Sequence, residues 1–144
     1  MRFKLCLCIA GVLLSVSGCS KTSAPGSSPA AEQAAIDAAQ KWLSLVDGGQ
    51  YSESWEQCAE YFRNAVSKDK WEQTMKAVRV PLGAQMSRVV KSKQYTTSVP
   101  GAPDGQYVVI QFTTSFKNKG SATETVTPML DKDGSWRVSG YFIK

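Results

Sequence analysis

From Ala30 onward, the apolar residues of the chain recur at steps of three and four, as they do along one face of an α-helix. Gly48 and Gly49 end the first of these stretches, and Ser67 stands at the position of an N-cap before the third. The spacing therefore predicts three helices, the last of which ends at Pro81. Their apolar stripes comprise Ala35, Ala38, Ala39, Trp42, Leu45 and Val46; Tyr51, Trp55, Cys58, Phe62 and Ala65; and Trp71, Met75 and Val78.

Beyond Gly83 the period of the apolar residues changes to two, which is the spacing of a β-strand that buries one face. Segments rich in Gly, Pro, Asn and Asp divide this region, as turns divide strands. Helices followed by strands are typical of the α+β class, so we expect three N-terminal helices packed on a curled, four-stranded antiparallel meander. The predicted strands are 86–98, 106–116, 122–130 and 136–143.

Alternation along two of these strands assigns charged residues to the inner face. The first and third strands of a meander lie two spacings apart, about 9–10 Å, which an extended Arg and an extended Glu can bridge together. We therefore expect Arg88 and Glu124 to form an ion pair on the concave side, with Arg79 as the fallback partner, because an unpaired buried charge is strongly disfavoured. The assigned positions are Lys91 and Lys93 facing water, and Met86, Arg88, Val90, Glu124, Val126 and Leu130 facing the helices.

The first residues follow a different pattern, in which Arg2 and Lys4 precede an uncharged apolar run from residue 5 to 16. That run is too short to cross a bilayer, which needs about 20 apolar residues, and it is typical of a signal peptide. The next four residues, Val16-Ser17-Gly18-Cys19, resemble the lipobox of bacterial lipoproteins, in which small residues precede an invariant cysteine. A plain secretory signal with an incidental Cys19 is the alternative.

The lipobox resemblance implies that residues 1–18 are removed and that Cys19 becomes a membrane-anchored N-terminus with diacylglycerol and an amide-linked acyl chain such as palmitate. Several acyl chains anchor a protein firmly, because each buried CH₂ adds about 0.8 kcal/mol. Residues 19–29 then form the lipidated cysteine and a flexible tether, and residues 30–144 form a single domain. Ser20 in place of Asp implies, under enterobacterial-like sorting, the periplasmic face of the outer membrane.

Composition removes several classes of chemistry. The chain has no histidine, which excludes a Ser-His-Asp triad, a Cys-His pair and an HExxH zinc site. We expect no metal and no cofactor, and the segment 131–134 is typical of a hairpin turn rather than of a calcium loop. The net charge of +5 is mildly basic and lower than the dense positive charge typical of nucleic-acid-binding proteins, so no nucleic-acid partner is expected. Cys58 shares a stripe with Trp55 and Phe62 and is expected to fill the core.

Charge is distributed unevenly along the domain. Residues 30–62 hold six acidic residues and one basic residue, a net charge of −5, whereas residues 63–93 hold eight basic and two acidic residues, a net charge of +6. This asymmetry has two interpretations. One is a basic face that contacts an anionic membrane or an acidic envelope partner, and the other is a pair of surfaces that neutralise each other in the fold. The candidate contact residues are Arg63, Lys68, Lys70, Lys76, Lys91 and Lys93.

A series of motifs occurs in the order typical of one bacterial family: Trp42-Leu43, the run 47–55, Trp71, the run 79–83, the segment 100–107 and the run 134–141. On these motifs, nearly all of residues 30–144 resembles the family catalogued as a domain of unknown function, number four thousand and nineteen. The resemblance implies no activity. The order of helices and strands is also similar to the cone of nuclear-transport-factor-2-like proteins, by analogy of element order alone.

The interior of such a cone is the expected place of a ligand pocket, although large aromatic residues at helical spacing are also typical of a simple core. We expect the chain to be a lipid-anchored, non-catalytic binding or assembly module of the bacterial envelope. The alternative is a small-ligand receptor or an enzyme that uses the interior of the cone. The candidate pocket residues are Trp55, Phe112, Trp136, Arg88, Glu124 and Arg79.

Overall fold

The computed structural model describes residues 27–144; the predicted signal peptide, Cys19 and the tether up to residue 26 lie outside that range. It is an α+β domain whose helices are followed by a curled antiparallel sheet with its strands in chain order, which confirms the predicted class and meander. Within the described residues, no helix combines the length and the apolar character that crossing a bilayer demands. The elements are α1 (Pro29–Asp47), α2 (Tyr51–Glu56), α3 (Glu60–Ala65), α4 (Lys68–Arg79), a 3₁₀ turn (Val80–Leu82), β1 (Gln85–Thr96), β2 (Tyr107–Phe116), β3 (Lys119–Leu130) and β4 (Trp136–Ile143).

Local capping sets the ends of α1. The Ala31 N–H donates to Ser28 Oγ at 3.0 Å, and Pro29 occupies the first turn, where its missing N–H removes no helical hydrogen bond. After Asp47 the chain leaves the helix through Gly49, whose φ of 73° lies in the left-handed region that glycine adopts without strain. The helix packs on the sheet through Ala35, Ile36, Ala39, Trp42, Leu43 and Val46.

The prediction of a single second helix is wrong, because this part of the chain forms two short helices, α2 and α3. At the break, the Ala59 N–H donates to the carbonyl oxygen of Val138 on β4 at 2.8 Å, and Cys58 forms an isolated bridge with the same strand. The open edge of β4 thus offers hydrogen-bond partners to the backbone at the break. A continuous helix could not form these hydrogen bonds. Cys58 is fully buried, as expected, but it lies between two helices.

The third predicted helix corresponds to α4. The Lys70 N–H donates to Ser67 Oγ at 3.4 Å, so the predicted N-cap is confirmed. Trp71 and Met75 are buried as expected, whereas Val78 is exposed and Arg79 takes the buried position instead. Position 79 lies one turn beyond Met75 on the same helical face.

Strand β1 departs from simple alternation at two bulges. The register shifts between Gln85 and Ser87, and Met86, expected to face the helices, is 66% exposed there. It shifts again between Val90 and Ser92, and each such shift reverses the alternation of side chains. Both departures lie on an edge strand, where bulges are common.

The second bulge changes the environment of the strand's lysines. Lys93, expected to face water, pairs in register with the buried Ile110, and its Nζ lies 3.0 Å from Glu32 Oε2 on α1. Lys91 is exposed, as expected. Val90 pairs with the buried Phe112 but remains 40% exposed, because the helices pack mainly over β3 and β4 rather than over the β1 edge.

Strand β3 follows the predicted parity. Val126 and Glu124 are fully buried on the inner face, and Leu130, which pairs with Trp136, is partly buried. The inner face of the sheet and the helices share one apolar cluster that includes Ile110, Phe112, Val126 and Val138 from the strands.

Candidate functional site

Five polar side chains from five different elements meet at one end of this interior. Arg79 Nη2 lies 2.6 Å from Asp47 Oδ1, and Arg88 donates to both Asp47 oxygens at 2.7 and 2.9 Å. Arg88 Nη2 also lies 2.9 Å from Glu124 Oε1, and Arg79 Nη1 lies 3.7 Å from the same atom. We call this set, with Tyr141, the polar cluster: Asp47 at the end of α1, Arg79 at the end of α4, Arg88 on β1, Glu124 on β3 and Tyr141 on β4.

The electrostatics of the polar cluster are balanced, since two guanidinium groups face two carboxylates. Tyr141 donates to Glu124 Oε2 at 3.3 Å and accepts a hydrogen bond from Arg79 Nη1 at 3.2 Å. Burial, reinforced by the negative charge of Glu124, raises the pKa of Tyr141, so its hydroxyl keeps its proton. Burial alone would lower the pKa of Arg88, but the hydrogen bonds and charges of Asp47 and Glu124 outweigh it and raise that pKa.

The predicted pair of Arg88 and Glu124 is confirmed, and Arg79, the expected fallback, reaches the same carboxylate in addition. Sequence reasoning did not connect Asp47 or Tyr141 with this pair. A signal was available: Asp47 lies four residues after the buried Leu43, on the face that α1 turns inward. The side chains of the cluster bind one another and thereby connect five elements of the fold.

An open groove of about 470 Å³ lies elsewhere, between α1, α2 and the start of β4. Ala38 and Leu45, expected in the core, are only partly buried there and form part of the apolar wall. Apolar and polar side chains contribute to its lining in similar measure. The groove is lined by Ala38, Lys41, Trp42, Ser44, Leu45, Glu53, Gln57, Ser135, Trp136, Arg137 and Val138.

Two polar groups of the groove, on Trp136 and Lys41, have no side-chain or backbone partner among the described residues. The indole N–H groups of Trp42, Trp55 and Trp71 donate to Ser54 O, Val66 O and Ser54 Oγ. In contrast, the indole N–H of Trp136 donates to no residue in the described range. The Lys41 ammonium forms no ion pair there. Because a binding site is marked by a concave surface with a few converging polar groups, this groove is the candidate site.

A second, more charged groove of about 420 Å³ adjoins the first and shares Gln57 and Arg137 with it. Arg137 lies 3.1 Å from Asp131 and 2.7 Å from Asp133. The hydrogen bonds from Arg137 hold the pKa of Asp133 well below its usual range. The predicted hairpin turn is present here, with the Gly134 N–H donating to Asp131 O, and the described residues contain no group of side chains suited to a metal ion.

The structure does not bring the six candidate pocket residues together around one cavity. Trp136 lines the groove, whereas Phe112 is fully buried in the apolar cluster. Trp55 is partly buried, and its indole donates to the Val66 carbonyl at 2.7 Å. The remaining three, Arg79, Arg88 and Glu124, belong to the polar cluster.

The candidate basic contact residues are partly neutralised in the fold. Lys68 pairs with Glu56 at 2.5 Å, Lys76 lies 3.9 Å from Glu72, and Lys93 pairs with Glu32. Among the described residues, no acidic side chain pairs with the other three, Arg63, Lys70 and Lys91. The charge asymmetry along the sequence is therefore reduced, but not removed, by contacts between the two halves.

The fold and the groove define the class of this protein. It is a single α+β domain with helices on one face of an antiparallel sheet and with an open groove between the helices and β4. A family model described as "Protein of unknown function (DUF4019)" matches residues 38–141, which extend from α1 into β4. The chain belongs to this family. No curated protein and no solved structure matches the chain.

Proposed function

We propose that the chain is a lipid-anchored, non-catalytic binding or assembly module of the bacterial envelope, which holds a partner in the groove between α1, α2 and β4. Its lipobox-like Cys19 supplies the anchor, and its place is the periplasmic face of the outer membrane. The likeness to nuclear-transport-factor-2-like cones belongs to this proposal and rests on element order.

One observation carries the proposal: the interior is occupied, and the groove is open. Phe112, Ile110 and Val126 have no exposed surface between sheet and helices. The charges inside are paired within the polar cluster, so residues 27–144 leave no unpaired acid or base there for acid–base catalysis. The groove instead combines Lys41 with the free indole N–H of Trp136, groups that a partner can engage without any rearrangement of the core.

The alternative, a receptor or an enzyme that uses the cone interior, needs an internal cavity with a polar floor. The residues expected to form that floor are engaged with one another, and the apolar wall residue Phe112 is fully buried. The filled interior therefore favours the binding module.

Site-specific photocrosslinking in intact cells tests the proposal. A photoreactive residue in place of Gln57, which lines both grooves, should form an adduct with an envelope component, and the matched replacement of the exposed Gln73 on α4 should not. Lys41→Glu, which reverses a charge in the groove, should reduce the Gln57 adduct. Equal adducts from both positions, or none from Gln57, would contradict binding in the groove.

A further inference from the structure

We propose that the side of the sheet turned away from the helices rests on an anionic lipid bilayer; this inference rests on the proposed function, whose lipid anchor keeps the domain at the membrane. We call this side the outer face and define it by Ser87 and Val89 of β1, Thr113 of β2, Thr123 of β3 and Phe142 of β4. The sequence pattern assigned membrane contact to another set of basic residues, which shares Lys91 with the lysines around the outer face. Only the strand register identifies the outer face.

The register places these residues on one side. Val89 pairs with Thr113, which pairs with Thr123, and their neighbours Phe112 and Glu124 point into the buried interior. Solvent reaches the outer face, since Val89 is 63% exposed and Phe142 is 48% exposed. Ser87 and Ser115, paired across β1 and β2, share a hydrogen bond of 2.7 Å on this side. The outer face, as these residues define it, is thus an accessible surface of hydroxyl groups with scattered apolar side chains. At the β1–β2 loop end the same side of the sheet is covered, since Tyr107 and Met129 are buried there.

At the end of the sheet away from the β1–β2 loop, where Asp104 lies, the charges around this surface are of one sign. Residues 73–103, 105–123 and 134–144, which supply β1, β2, β4 and the turn between β2 and β3, contain no acidic residue. Strand β3 contributes Glu124 alone, and that carboxylate is buried on the inner side. Four exposed lysines stand around the edges of the sheet, and none of them pairs with an acidic side chain within residues 27–144. These rim lysines are Lys91 in the β1 bulge, Lys117 and Lys119 beside the β2–β3 turn, and Lys144 at the end of β4.

Lys144, one of the rim lysines, lies against an apolar residue of the outer face, because its Nζ is 5.4 Å from the centre of the Phe142 ring. Lysine ammonium groups next to exposed apolar side chains suit the headgroup region of an anionic bilayer, where each lysine strengthens binding about fivefold. At this end of the outer face, no acidic side chain of the described residues opposes that attraction. An uncharged bilayer offers the same apolar contact without the attraction, so the proposal commits to anionic lipid.

The length of the tether permits this orientation. Nine residues lie between Cys19 and Pro29, where α1 begins, and the ten Cα–Cα steps of a fully extended chain reach about 35 Å. The helix packs on the inner face, and this reach lets the anchor sit in the bilayer while the outer face lies against it. The groove on the helix side then points away from the membrane, toward a partner.

Cysteine labelling of the complete acylated chain, reconstituted in vesicles, tests the proposal. Thr113→Cys reports on the outer face, and Gln73→Cys on α4 is the matched control; buried Cys58 provides an unreactive background. A water-soluble maleimide is applied in phosphatidylglycerol-containing vesicles and in phosphatidylcholine vesicles. Labelling of Thr113→Cys should slow at least about fivefold in the anionic vesicles alone, and about 0.5 M salt should restore it.

The double variant Lys117→Glu/Lys119→Glu should remove the protection, whereas Lys70→Glu/Lys132→Glu, matched in charge but away from the rim, should not. Equal labelling in both kinds of vesicle, or equal protection in both, would overturn the proposal. Protection already present in detergent would indicate a second copy of the chain on this face and would overturn it as well. Flotation of the chain with the vesicles reports on the anchor separately, so a failed anchor is distinguishable from an unprotected face.

Discussion

Arg88 and Glu124 meet across the strand that separates them: Arg88 Nη2 lies 2.9 Å from Glu124 Oε1, and Glu124 has no exposed surface. Because β2 lies between β1 and β3, the pair bridges two strand spacings, about 9–10 Å. Asp47 binds the other side of the Arg88 guanidinium, which extends the pair to the end of α1. The position of α1 on the sheet is therefore linked to charges that the core encloses.

Removal of one partner from this pair should destabilise the domain strongly. Arg88→Met leaves Glu124 with the more distant Arg79 as its charged partner among the described residues. Glu124→Leu leaves two guanidinium groups facing a single carboxylate, that of Asp47. Each single variant should lose roughly 3–5 kcal/mol of unfolding free energy, and the double variant should lose much less than the sum. Chemical denaturation of the four proteins measures the coupling.

The exposed pair of Lys68 and Glu56 is the matched control for that cycle, with side chains 37% and 55% exposed. Lys68→Met and Glu56→Leu should each change stability by about 0–1 kcal/mol, with little coupling. Small and additive losses at Arg88 and Glu124, like those of the control, would show that the buried pair contributes nothing specific.

Cys58 should resist alkylation in the folded domain and react fully in denaturant. Burial raises its pKa from the ordinary value of 9.0 to about 12, so the folded state keeps the thiol protonated. The stability it contributes is fully present below about pH 9 and is lost as the pH rises toward 12, by about 1.4 kcal/mol per unit.

Denaturant titrations at pH 8 and pH 10 measure this effect, with Cys58→Ala as the reference for all other titrating groups. The native chain should lose about 1.4 kcal/mol more than the variant between the two conditions. Rapid alkylation without denaturant would place the thiol at the surface.

Ser54→Ala should weaken the packing of α4 on α2. The Ser54 hydroxyl accepts from the indole N–H of Trp71 at 3.0 Å and donates to Tyr51 O at 2.8 Å, and both Ser54 and Trp71 are buried. The variant leaves the indole N–H without a partner, which should cost about 1–3 kcal/mol in a thermal or chemical melt. Ser52→Ala, two residues away on α2, should stay within about 0.5 kcal/mol, and equal losses from both variants would count against the role of this hydroxyl.

Cys19→Ala should abolish acylation and leave an unprocessed precursor, because the lipobox cysteine is the proposed attachment point of the acyl chains. Metabolic labelling with a fatty-acid analogue, followed by gel analysis, measures the outcome. Cys58→Ala is the control and should incorporate the label normally. Incorporation into Cys19→Ala would refute the lipoprotein assignment.

Tertiary contacts explain two differences between the predicted and the observed secondary structure, the break between α2 and α3 and the bulge in β1. The apolar stripe through Cys58 continues across the break between α2 and α3, so periodicity alone could not reveal the break. The hydrogen bond from Ala59 to Val138 belongs to residues far apart in the chain. In the same way, Lys93 faces Glu32 because of a bulge between Val90 and Ser92 in β1. The alternation of apolar and polar residues in the sequence does not show where such a bulge occurs.

By itself, the sequence determined the α+β class, the order of the strands, the cap at Ser67 and the inward direction of Arg88 and Glu124. These features follow from periodicity, capping and turn chemistry, which act over a few neighbouring residues. Only the tertiary structure decided that Asp47 joins the polar cluster and that the open groove lies beside Trp136. Both depend on how elements far apart in the chain pack together, because a buried charge takes the partner that the fold brings to it and a groove remains where packing is incomplete.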